Sequence, residues 1–329
     1  MAPAAGGLGT DVRRKTIAAI GGSVLLLLGG GGYAAAATPG AHVSAVIPLS
    51  VNPTGVGYAN GSAWVTLDAA AVARIDPDTN QVTATIPVGN FPVRAIGGFN
   101  AVWVSNCADG TVSRIDPGTN QVVATISTGV CPFDLGVLDQ SVWVVNADNH
   151  VSRIDPTTNT VTATVTANLA HCPPKCDFRG LTTGAGAVWV TTARSSVLRI
   201  DPATNQVTTT ISLGRCCDTI RGVAVGFGSV WAADDGGNGV IARIDLNTLA
   251  VTALIPSVQP NPSEITIFNK QIWIGHDAQF SIIEAIDPTT NQTSAAVHVE
   301  DFAGSVAGGA GTVWTNCYNA MKVFRISPR

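Results

Sequence analysis

The sequence predicts an all-β fold, a seven-bladed β-propeller with four antiparallel strands per blade, its ring closed by an N-terminal strand that completes the C-terminal blade. Three observations predict it. All seven tryptophans stand in one repeated phrase, the phrase recurs every 39 to 46 residues, and the chain ends hold complementary parts of one unit. Several short strands per repeat of that length is the pattern of propeller blades.

The tryptophans are Trp64, Trp103, Trp143, Trp189, Trp231, Trp273 and Trp314, usually inside Val-Trp-Val or a close variant. Arg-Ile-Asp-Pro follows at Arg74–Pro77, Arg114–Pro117, Arg153–Pro156 and Arg199–Pro202, with worn copies at Arg243–Asp245, Ile286–Pro288 and Arg325–Pro328. In the second unit, Arg94–Gly98 reads as the inner strand and Ala101–Asn106 as the tryptophan strand. Thr111–Asp116 is the third strand and Gln121–Thr128 the outer one, where Val122, Ala124 and Ile126 alternate with polar residues. Asp-Pro-x-Thr-Asn joins the last two strands, because Pro fixes φ, Asp bonds nearby amides and Asn tolerates positive φ. After Trp314 the chain stops one strand short, and Val43–Leu49 matches an outer strand with no blade before it. Pairing the two removes an exposed edge. A residue found in every blade is read as architecture, so the tryptophans are packing groups between blades and the repeated arginines and aspartates are turn and inter-strand partners.

With 46% hydrophobic and 12% charged residues, the 329-residue chain can bury a large core. Its formal net charge of −4 comes without a Lys/Arg cluster, so nucleic acid is excluded as an expected partner. Residues 1–37 read as a signal peptide: Arg13, Arg14 and Lys15, then an apolar run from Thr16 to Leu28, then Ala35 and Ala37 in the small-x-small pattern of a cleavage site. The paired arginines leave both general and twin-arginine export open. An uncleaved anchor competes with cleavage, although the apolar run is short for a full span. Residues 38–329 are the propeller, expected to be secreted or in the periplasm or cell envelope, with no later segment able to cross a membrane.

Seven cysteines agree with an oxidising compartment. They fall at the face that carries the loops between second and third strands and between blades, here called the top. Cys107 and Cys131 flank one blade junction and are the first expected disulfide; Cys317 is the one expected to remain a thiol. Cys172, Cys176, Cys216 and Cys217 are the other disulfide candidates. With His171 they form the competing reading, a zinc site. Asp234–Gly239 resembles a calcium loop in composition, and a polar turn explains it as well.

One position near the start of each inner strand breaks the repeat: Gly55, Arg94, Asp134, Arg179, Arg221, Glu264 and Gly304. Charged residues are rarely buried unpaired. One reading is a ring of ion pairs between adjacent blades. The other is a ligand site in which Arg179 and Arg221 hold a carboxylate or phosphate, Arg94 assists, and Asp134 and Glu264 orient them. His150 and His276 read as solvated loop residues of different sectors.

Val-Trp-Val-x-Asn followed by Arg-Ile-Asp-Pro-x-Thr-Asn-x-Val resembles the bacterial YVTN-type propeller repeat, over essentially the whole mature chain. More distantly the chain is similar to the virginiamycin B lyase (streptogramin lyase) group. That resemblance implies catalytic histidines at the openings of inner strands and an acid that helps hold magnesium. The matching positions here are Thr54, Val93, Phe133, Phe178, Ile220, Ser263 and Ala303, and none is His. Asp68, Asp235 and Asp277 stand where the acid is expected. Without an imidazole no general base for elimination is evident. A lactonase would need convergent groups at the mouth, for which Asp134, Glu264, Asn106 and Asn146 are available.

The expected function is therefore a binding or interaction module, with an anionic small molecule or an envelope protein as partner. The alternative is a lyase- or lactonase-like enzyme on the same scaffold. No cofactor is expected, and magnesium or zinc enters only under the competing readings.

Overall fold

The computed structural model describes residues 40–166, 178–214, 219–300 and 302–328. Residues 1–37, the expected signal peptide, lie outside these residues, as do His171, Cys172, Cys176, Cys216 and Cys217. Seven four-stranded antiparallel sheets follow one another in chain order. Blades 1 to 6 are consecutive, beginning at Pro53, Pro92, Pro132, Phe178, Ile220 and Pro262. Blade 7 takes three strands from Val306 to Ser327 and its outer strand, His42–Pro48, from the other end of the chain. His42 lies opposite Ser327 and Pro48 opposite Lys322, which is the closure the ends predict. In blade 2 the tryptophan and third strands run Ala101–Asn106 and Thr111–Asp116, as read from sequence.

The core lies between the blades. Each tryptophan packs on the next blade: Trp64 against Ala95, Val102 and Ile115, Trp273 against Val306, Val313 and Ile326, and Trp314 against Val56, Val65 and Ile75. All seven are buried. Burying so large a side chain contributes more than any other group available to a blade seam.

The repeated arginine latches blades together at the bottom. Arg74 donates from Nη1 to the Pro117 carbonyl (2.7 Å) and to Asn120 Oδ1 (2.9 Å) of the next blade. Arg114, Arg153, Arg243 and Arg325 do the same to Pro156 and Asn159, Pro202 and Asn205, Pro288 and Asn291, and Pro77 and Asn80. Each guanidinium also lies over the tryptophan of its own blade, 5.2 Å from the ring centroid for Arg74 and 4.7 Å for Arg325. The turn that receives the latch is shaped locally. Asp76 Oδ1 accepts from the Asp78 amide at 2.7 Å, and Asn80 closes the turn at φ 57°.

Two junctions depart from this pattern. The blade-5 turn has Leu246 and Leu249 in place of Pro and Asn, and Arg199 bonds Thr208 Oγ1 (3.1 Å) instead. In blade 6, Ala285 stands where the arginine would be.

Candidate functional site

The singular residues meet at the top mouth of the channel. Inner strands open with a break in register, for example between Pro92 and Arg94 and between Pro132 and Asp134. Such irregularities re-aim side chains. A cavity of about 210 Å³ is lined by Arg94, Asp134, Arg179, Arg221 and Glu264 together, so the structure gathers all five charged positions read from the repeat.

Within that cavity the five have different roles. Arg94 spans the lumen from blade 2 to Glu264 Oε2 of blade 6, and its Nε lies 3.1 Å from Asp134 Oδ1 of blade 3. Asp134 accepts from the amides of Leu135 (2.8 Å) and Leu181 (2.9 Å), the latter in blade 4. Glu264 Oε2 also accepts from Ser305 Oγ of blade 7 at 2.8 Å. Burial opposes the charge on Arg94, but the two carboxylates outweigh it and hold the guanidinium more firmly protonated than usual. For Glu264, burial pushes the carboxyl up against the pull of Arg94. Arg94 and Asp134 pair between adjacent blades as the ring reading expects. Glu264 departs from it by pairing across the lumen rather than with Arg221.

Arg221 is the exposed arginine of the group, with 44% of its side chain accessible. It donates from Nε to Asp235 Oδ2 (2.8 Å) and from Nη1 to Asp277 Oδ2 (3.3 Å). Arg179, from the adjacent blade, lies over the Phe133 ring at 5.9 Å. Below Arg94 the channel continues into a second space, lined by Arg94 itself and by Ile96, Leu135, Thr182, Thr183 and Thr266. Arg94 therefore floors the mouth.

A second cavity of about 330 Å³ adjoins the first and shares Ser263 and Glu264 with it. Its other lining residues include Asp277, Phe302, Gly304, Tyr318 and Asn319, from blades 6 and 7. Sequence reading named Asp277 but missed Phe302 and Tyr318. The available signal was Gly304, a glycine in a ring of charges.

Other sequence-derived sites resolve differently. Cys107 and Cys131 form the expected disulfide. Cys317 is buried and its thiol faces the Glu300 carbonyl at 3.4 Å. Asn106 and Asn146 are buried and bond Ser113 and Ser152 within their own blades, outside both mouth cavities. Asp234 accepts from Ser195 and from the Gly236 amide, a polar turn. His150 is 37% exposed, with Nδ1 3.2 Å from Asp148.

His276 corrects the reading of a solvated loop. It is fully buried at the end of its strand, because Ser257 from blade 5 and Glu284 from blade 6 close over it. Nδ1 lies 2.6 Å from the Ile282 carbonyl and therefore carries the proton, leaving Nε2 to accept from Ser257 Oγ at 2.8 Å. Ser257 Oγ is also 2.9 Å from Glu284 Oε2 and has one proton for two acceptors. The Val258 amide also donates to Glu284 Oε2, at 3.3 Å. Burial pushes Glu284 up and lowers His276 to about 4, in keeping with a neutral pair.

Among the described residues, no three His, Cys, Asp or Glu side chains converge as a metal cluster would require. No protein-family model matches the chain, and no curated protein matches its sequence. Among solved structures the chain is similar to Kuenenia stuttgartiensis hydrazine synthase, with a TM-score of 0.71 and 13% identity over 86% of this chain and 97% of that one. At that identity the likeness shows the fold. The protein is a seven-bladed β-propeller, and the YVTN-type and lyase resemblances rest on the repeat phrase alone.

Proposed function

We propose that the chain is an exported or cell-envelope binding module that takes an anionic small molecule at the top mouth of its channel. One observation carries this: Arg179 and Arg221, from adjacent blades, line one cavity at the mouth, where Arg221 is exposed. Arg94 is assigned to the floor, and the ligand arm falls to the other two. The carboxylates around Arg221 hold its guanidinium in place, and at 44% exposure it stays open to exchange with an incoming anion. The disulfide supports an oxidising compartment. A lyase or lactonase gains less support, since His276 is fully buried and lines neither mouth cavity.

The test is calorimetry with inorganic phosphate and small carboxylates. Arg179→Ala or Arg221→Ala should weaken binding by about 1.5–3 kcal/mol, the range of a charge-assisted hydrogen bond. Lower stability with unchanged affinity would return the ring to architecture.

A further inference from the structure

The seven ring positions contain two glycines, and they are glycine for different reasons. At Gly55 a Cβ would stand 2.2 Å from the Val93 carbonyl of the next blade, so no side chain can fit. At Gly304 the nearest atoms to a Cβ would be Ser263 Oγ at 3.3 Å and Asp277 Cβ at 3.7 Å, with no backbone atom in the way. A side chain at 304 needs only the Ser263 hydroxyl to shift by a few tenths of an ångström. Its absence leaves the mouth open over blades 6 and 7, where the 330 Å³ cavity lies.

The chemistry of that opening is specific. Among the described residues, no Arg, Lys or His lines it. Each of its two carboxylates shares a guanidinium with a second acid, Glu264 with Asp134 on Arg94 and Asp277 with Asp235 on Arg221. Glu264 and Asp277 line it as carboxylates together with Ser263 and Asn319, and Phe302 and Tyr318 supply aromatic surface. A lining of carboxylate acceptors, hydroxyl and amide groups and aromatic faces, with no cation of its own, suits a neutral ring bearing several hydroxyls. The volume lies at the lower end of small-molecule pockets, about 300–1,000 Å³. Arg221 Nη1 is only 3.3 Å from Asp277 Oδ2, so the arginine cavity and this opening meet at one pair of side chains.

We infer that the ligand is an anionic sugar, with its acid group on Arg179 and Arg221 and its hydroxylated ring in the opening left by Gly304. The assignment of the acid group rests on the anion reading above; that of the ring rests on the opening alone.

Calorimetry would compare glucuronate and glucose 6-phosphate with glucose, acetate and inorganic phosphate, on the wild-type chain, Arg179→Ala and Gly304→Leu. The anionic sugars should bind at least tenfold tighter than either the neutral sugar or the simple anions. Their relative affinity decides whether the acid group is a carboxylate or a phosphate. Gly304→Leu should abolish the advantage of the sugar while keeping the weak affinity for phosphate. Gly304→Ser, a smaller intrusion, gives the same reading if the leucine variant fails to fold. Simple anions binding as tightly as anionic sugars, or full sugar affinity in a folded Gly304 variant, would overturn the inference and leave the anion site standing. Glucose binding as tightly as glucuronate, insensitive to Arg179→Ala, would overturn the anion reading and keep the sugar seat. No binding by any probe would overturn both.

Discussion

On the bottom rim, Arg74, Arg114, Arg153, Arg243 and Arg325 make one bond pattern five times, each to the Pro and Asn of the next blade's turn. On the top rim, the equivalent ring positions hold arginines, acids and glycines whose partners lie in their own blade, the next blade or across the lumen. The bottom rim solves one packing problem repeatedly. The top rim has no single problem to solve, so its residues are free to differ, and the mouth is where the molecule becomes particular. The contrast separates residues whose loss should loosen the ring from those whose loss should change what it binds.

The hardest test of the common architecture is closure. Deleting residues 41–50 removes the strand opposite Lys322–Ser327 and bares an edge at the seam. A large fall in melting temperature is expected, and an unchanged melting curve would break the account of the ring. Next in size is Arg94→Ala. It strands Glu264 and Asp134 in the floor of the mouth and should cost about 3–5 kcal/mol in chemical denaturation. A loss near that of a surface residue would mean that the floor is not held by charge.

Blade 6 replaces the repeat's Asn106 and Asn146 with His276, which makes one seam sensitive to pH. The fold holds this imidazole neutral, with its pKa lowered to about 4. The linked stability is therefore full above pH 6.5 and is lost as pH falls toward 4, on the order of 3 kcal/mol. Glu284, pushed up by burial, works in the opposite sense, losing its linked stability as pH rises through its folded-state value. His276→Asn should flatten the acid limb of a melting profile between pH 7 and 4. An equally steep limb would remove the histidine from the account.

The latches predict a graded series. Arg243→Ala removes bonds to Pro288 and Asn291 and the contact with Trp231, and should cost about 2 kcal/mol. Arg199→Ala, at the junction whose turn has Leu246 and Leu249, should cost less than half as much. Equal losses would show that the latch is not what holds a junction. Leu249 sits at φ 57°, where its counterparts are asparagines. Leu249→Asn should relieve that strain and offer Arg199 its missing acceptor, raising stability by about 1 kcal/mol.

Much of this architecture is legible in the sequence. A single tryptophan per unit sets the phase of all four strands, so blade number, closure and the Cys107–Cys131 bridge follow from spacing. Aligning the blades also brings Arg94, Asp134, Arg179, Arg221 and Glu264 to one ring. What spacing cannot carry is contact across empty space. Arg94 and Glu264 are 170 residues apart in blades that are not neighbours, and nothing local marks them as partners. The burial of His276 depends on Ser257, which belongs to another blade. The difference between Gly55 and Gly304 is likewise invisible in sequence, because it lies in the neighbouring blade and not in the glycine.

The closing strand also sets how the molecule responds to tension. His42 faces Ser327 at one end of the antiparallel pair, and both chain ends leave from that same end. Traction on the two ends thus loads one pair of backbone bonds at a time, peeling the seam from His42 toward Pro48 instead of shearing all of it together. Pulled by its ends, the propeller should open at its closing seam under low force, well before any blade inside the ring gives way. Tethering through a single end leaves that seam unloaded and the ring intact.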